Sequence, residues 1–164
     1  MQRLSRGSWS TLSSANLLSY TDDTCPANST CVYRVRAVDE YGGSASPYTS
    51  DLATTMSFTA IQQNMAIAFA HFDQIRLAVN SIRAAHGDPD LSWRQILDHG
   101  GYSSGIEPGQ GSLIDAVHLL ALRDAMNKAR AAVGVPAATS YTDTLSMPTP
   151  IRATHLTELQ QRAQ

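Results

Sequence analysis

Ile67-Ala68-Phe69-Ala70-His71-Phe72-Asp73-Gln74-Ile75-Arg76 aligns without a gap on Ile114-Asp115-Ala116-Val117-His118-Leu119-Leu120-Ala121-Leu122-Arg123. Both align on Ile151-Arg152-Ala153-Thr154-His155-Leu156-Thr157-Glu158-Leu159-Gln160. The first two copies match further: Asn80 with Asn127, Arg83-Ala84-Ala85 with Arg130-Ala131-Ala132, Gly87 with Gly134 and Pro89 with Pro136. This is an internal repeat, and it is read before any single element. Ile67, His71, Ile75, Ala78 and Ile82 recur at helical spacing, as do Ile114, His118, Leu122, Ala125 and Ala129. Each repeat is therefore predicted to be a helix burying one stripe.

The punctuation agrees with helices. Gly87 and Gly134 are expected stops, each followed two residues later by proline. The expected starts are Thr59 with Gln62, Ser112 with Asp115, and Thr149 before Pro150. A short helical turn is expected at Trp93 to Leu97. The first connector is the longer one, through the Gly- and Ser-rich stretch from Gly100 to Gly111.

Upstream of residue 56 the pattern changes to short β runs between turns. Ser8 to Leu12, Leu17 to Thr21, Cys31 to Val38 and Ala45 to Leu52 are the candidate strands, with a hairpin turn at 39–43. Tyr33, Val35 and Ala37 are taken as the inward face of the third. Cys25 and Cys31 flank a Pro- and Asn-containing turn. A small disulfide loop is the favoured reading, which fits an oxidising compartment, and two free thiols are the alternative. Asn28-Ser29-Thr30 is a formal glycosylation sequon.

Bulk properties exclude several classes. With 43% hydrophobic and 16% charged residues the chain is not a disordered tail. A net charge of -2 argues against a nucleic-acid partner. No apolar run approaches the ~20 residues that cross a membrane. Met1 to Ser8 is basic and polar and does not read as a signal peptide. There is no phosphate loop, no nucleophile elbow and no Cys–His pair.

Trp9, Leu12, Ser19-Tyr20-Thr21-Asp22, Tyr33-Arg34-Val35-Arg36-Ala37-Val38-Asp39 and Ser44-Ala45-Ser46-Pro47-Tyr48 give residues 7–55 a resemblance to the second half of a bacterial fibronectin type III domain. Residues 56–162 resemble an Ile-x-Ala-x-His-x-x-x-Leu-Arg repeat of large secreted bacterial proteins, departing from it at Phe69 and Gln160. That repeat carries no established activity. The resemblances imply a fragment of a secreted or cell-surface protein. The expected fold is α+β: a partial antiparallel β-sandwich over 1–55, then a three-helix repeat module over 56–164 with repeats at 67–87, 114–134 and 151–162. Half a sandwich leaves an apolar face and open edges, to be covered by the helices or by a second copy in a homodimer.

The chemistry, if any, is expected at the histidines. His71, His118 and His155 sit in the apolar stripes, where an imidazole needs partners. Three of them around zinc or another divalent transition metal would leave a fourth position for water. Its hydroxide would attack an ester or phosphoester. Glu158, Asp115 and His99 are the candidate catalytic groups, with Asp98 and Glu107 further candidates and the Gly-rich stretch a lid. The competing reading is that each histidine bonds to backbone or to an Arg or Asp of a neighbouring repeat, and locks helices together in a non-catalytic adhesion module. The recurring Arg76, Arg83, Arg123 and Arg130 hold an anionic substrate on the first reading, and pair with Asp73, Asp124 or helix ends on the second.

Overall fold

The computed structural model describes all residues except 15–18, 40, 42, 63–64, 103–106, 110–113, 138–139, 144 and 146–149. Its fold is α+β. Four strands, β1 (Gln2–Ser5), β2 (Ser8–Thr11), β3 (Thr30–Val35) and β4 (Thr49–Thr54), form one antiparallel sheet in the order β2-β1-β3-β4. Four helices follow: α1 (Phe69–His86), α2 (Trp93–His99), α3 (Ala116–Ala132) and α4 (Ala153–Arg162).

The basic N-terminus is a strand, which the sequence reading missed. Ser5 pairs with Ser8 across Arg6 and Gly7, whose φ values are 47° and 77°. Two left-handed residues make the tight turn that suits the twist of a hairpin. The turn sits on the end of α1: Gly7 N–H donates to Ala85 O at 3.0 Å. A Cβ on Gly7 would lie 2.7 Å from His86 O, so the approach itself requires glycine there.

The sheet buries one face, and its parity is opposite to the one expected. Leu4, Val32 and Leu52 are in register across β1, β3 and β4 and belong to the core, with Trp9 opposite Leu4. Val35 is 50% exposed and Ala37 is exposed. The cause is that no second sheet covers the Tyr33 face among the described residues. The helices cover the Val32 face, where Ser81 Oγ of α1 also accepts the Thr30 N–H. One hydrophobic cluster contains Leu4, Val32 and Leu52 together with Phe72, Ile75, Ile82, Leu119, Met126, Leu156 and Leu159. Sheet and helices thus share a core.

On the far face the chain folds back through Asp22. Its carboxylate accepts from Arg3 Nη1 (2.7 Å), Tyr33 Oη (2.9 Å), Thr24 N (3.0 Å) and Thr24 Oγ1 (2.6 Å). Burial alone would raise this carboxyl; the hydrogen bonds outweigh it and hold it at about 2. Burial and the same carboxylate push the Tyr33 hydroxyl up to about 12. Cys25 and Cys31 are disulfide-bonded just beyond.

Ser8–Thr11 falls where expected, the run from Cys31 forms a strand only as far as Val35 rather than Val38, and the last strand begins later, at Thr49. Val38 and Ala45 form an isolated bridge, so the chain does reverse between them. Ser19 to Thr21 is not a strand, and Leu17 and Leu18 lie outside the described residues. Gly87 caps α1 with φ 98°, and Gly134 follows α3 with φ 76°. The repeat's Arg and Pro then meet. Arg83 Nε donates to Pro89 O and Arg130 Nε to Pro136 O, both at 3.1 Å, which folds each connector back on its helix.

Two outcomes are expected. Replacing both cysteines by serine removes a short closed loop from the unfolded chain and should cost about 2 kcal/mol in urea unfolding. Asp22 has a folded carboxyl value below its unfolded 3.8, so its contribution is complete above that value and is lost as pH falls towards 2. Asp22→Asn should therefore destabilise strongly at about pH 5 and much less at about pH 2.5.

Candidate functional site

The three helices of the repeat start later than expected. Their N-caps are Ala68, Asp115 and Arg152. The predicted start at Thr59 is instead a segment pinned by Gln74, whose Oε1 accepts the Thr59 N–H at 2.9 Å. Ser112 and Thr149 lie outside the described residues. The shift changes the meaning of the motif. Each isoleucine (Ile67, Ile114, Ile151) is the residue before the N-cap, and each histidine is the third residue of the helix.

Ala68 N–H donates to His71 Nδ1 at 3.0 Å, Asp115 N–H to His118 Nδ1 at 3.1 Å, and Arg152 N–H to His155 Nδ1 at 3.1 Å. This is the position from which Glu or Gln reaches back in a capping box. At Ala68 and Arg152 no side chain completes the box in the other direction; at Asp115 the carboxylate accepts from Val117 N–H at 3.1 Å. Phe72, Leu119 and Leu156, which follow the histidines, are fully buried. With the isoleucines they occupy the two positions of a hydrophobic staple.

The rings are 3, 2 and 0% exposed at 71, 118 and 155. His155 has both nitrogens engaged. Nδ1 accepts from backbone, so the proton lies on Nε2, which is 2.8 Å from Asp143 Oδ2. The hydrogen bond from His155 holds the Asp143 carboxyl below its ordinary value. At His118, Nδ1 also lies 2.9 Å from Asp115 Oδ1, and Trp93 meets the ring edge-on with centroids 6.4 Å apart.

No protein family, curated protein or solved structure matches the chain. The site is therefore read from its own geometry.

Among the described residues no group of three or more His, Cys, Asp or Glu side chains is placed to hold a metal ion. Each Nδ1 is turned to its own helix start. The candidate catalytic groups have partners of other kinds. Glu158 Oε2 pairs with Arg123 Nη2 at 3.2 Å, and its Oε1 accepts from Thr142 N at 2.8 Å and from the Thr142 hydroxyl. Asp115 is a helix cap. His99 is exposed at the end of α2, where its carbonyl accepts from Lys128 Nζ. Asp98 pairs with Arg94, and Glu107 is exposed. An open groove of about 970 Å³ at the start of α4 is lined by Asp143, Arg152 and Glu158 but by neither Asp115 nor His99.

The arginines bind within the fold. Arg76 pairs with Asp73 at 2.7 Å and reaches Leu91 O. Arg123 takes Glu158 rather than Asp124, donates to Asp143 O and stacks 4.1 Å from the Tyr141 ring. Asn80 clasps the Leu91 backbone in both directions, at 2.8 and 3.0 Å. Asp143 was not singled out from the sequence. It lies in a connector with no counterpart in the other repeats, so no pattern marked it.

The capping role predicts a graded series at each histidine. Ala should cost about 2 kcal/mol, Gln less than about 1, because its amide can accept the same N–H. Glu should be worse than Gln, since it would bury a charge. Thermal unfolding of the nine variants measures this, with the largest Ala effect at His155.

Proposed function

We propose that this chain is a non-catalytic structural module, serving adhesion or spacing in a secreted or cell-surface multidomain protein. The observation that carries the reading is the use of all three Nδ1 atoms as acceptors for their own helix starts. A buried imidazole needs a reason, and capping supplies one at each repeat without a metal. The internal use of the recurring arginines and Asn80 supports the same view. The Cys25–Cys31 disulfide supports an oxidising compartment. The fibronectin type III resemblance of the first part supports placement beside other modules of one long chain.

The zinc hydrolase reading requires the three rings to leave their caps and meet. The deciding experiment is elemental analysis after incubation with zinc and desalting. The expected result is no stoichiometric metal in the wild type. About one zinc per chain, lost in His118→Gln while that variant stays folded, would overturn the structural reading.

A further inference from the structure

The first repeat carries chemistry at its exit that the second lacks. Gly87-Asp88-Pro89 aligns on Gly134-Val135-Pro136, and His86 aligns on Val133. The two backbones are built alike. Asp88 N–H donates to Arg83 O and Val135 N–H to Arg130 O, both at 3.0 Å. Arg83 Nε and Arg130 Nε then hold the carbonyls of Pro89 and Pro136. This clamp forms in the second repeat with valine at both positions, so it needs neither His86 nor Asp88.

Those two side chains meet all the same. Asp88 Oδ2 lies 3.2 Å from His86 Nδ1 and 3.7 Å from Arg83 Nη1. Oδ1 has no partner among the described residues. The carboxylate side chain is 35% and the imidazole 42% exposed, so water reaches both. A pair this open adds little to stability. It sits at the only Asp–Pro bond in the chain.

An Asp–Pro bond is open to attack by its own side chain. The aspartate carboxylate closes a five-membered ring on its own main-chain carbonyl carbon. The leaving nitrogen belongs to a tertiary amide and departs as a secondary amine. Attack within one residue has the advantage of proximity, and a placed proton donor speeds the departure. The junction is also braced. Arg83 holds the backbone before and after the bond. The turn after β1 lies against Gly87, where a Cβ would come within 3.2 Å of the Arg6 carbonyl carbon.

We propose that Asp88–Pro89 is a self-cleavage site, with Asp88 as nucleophile and His86 as proton carrier. The Asp88 carboxylate attacks its own carbonyl carbon and the C–N bond to Pro89 breaks. The His86 imidazolium gives the departing nitrogen its proton. Water then opens the cyclic anhydride, leaving two carboxylates on Asp88, the new C-terminus. Of the two protons released, one reloads His86 and the other charges the Pro89 amine. The reaction occurs once per chain and turns over no outside substrate, so it is independent of the histidine caps. Both pieces contribute to one hydrophobic cluster, which would hold them together after the cut.

The test is mass spectrometry of the purified chain during incubation at about pH 6, both folded and in urea. Fragments ending at Asp88 and beginning at Pro89 are expected, formed roughly tenfold or more faster in the folded chain. His86→Gln should slow the cut on the order of tenfold. Asp88→Glu, which must close a larger ring, should slow it further. Val135–Pro136, held by the same backbone bonds, should stay intact and serves as a control within the molecule. Unchanged melting curves would establish that both variants are folded. No cut at Asp88–Pro89, equal rates folded and in urea, an undiminished rate in His86→Gln or Asp88→Glu, or equal cleavage at Val135–Pro136 would overturn the proposal.

Discussion

A helix leaves its first N–H groups without partners, and a helix that starts inside a protein must satisfy them there. In this chain three helices begin against the core, and at each an imidazole turns back to take the N–H of the residue before the helix. A carboxylate in that place would be charged and nearly fully buried, at a cost that capping does not offset. A neutral imidazole accepts the same hydrogen bond and adds apolar surface. The adjoining isoleucine and Phe or Leu then set the angle at which the chain enters. The core layer around Phe72, Leu119 and Leu156 depends on those three starts being held.

The rest of the repeat serves the opposite end and the return path. Glycine ends α1 and follows α3, and the arginine one turn before it catches the carbonyl of the proline beyond. Asn80 holds Leu91, and Arg123 holds Asp143, whose carboxylate in turn meets the next histidine. Successive repeats are therefore linked through the connectors as well as through helix contacts. Such a motif copies well, because each copy carries the means to close its own ends.

The sequence announced the two stops, the disulfide loop and the α+β class, since each rests on local chemistry. It left the histidines' role open for a geometric reason. From the staple isoleucine to the capping histidine is four residues, and four is also one step along a helical stripe. Counting cannot separate Ile67 and His71 on one helix face from Ile67 before the helix and His71 within its first turn. The metal reading grew from that ambiguity. The Tyr33 face was misjudged because alternation gives two faces but does not say which one a partner will cover. The strand at Gln2–Ser5 was missed because its single core residue, Leu4, is too little apolar signal to announce a strand. Asp143 was invisible because it belongs to no pattern.

Composition puts a boundary near residue 55, yet Gly7 N–H rests on Ala85 O and the hairpin turn lies against the last turn of α1. The seam joins the first strands to a helix end far along the chain. A piece cut at the compositional boundary would carry away the cover of the Val32 row and strip a partner from the α1 terminus. The two halves are thus separate in vocabulary and joined in one hydrophobic cluster. Excision at that boundary would yield two fragments with exposed apolar surface rather than two portable domains.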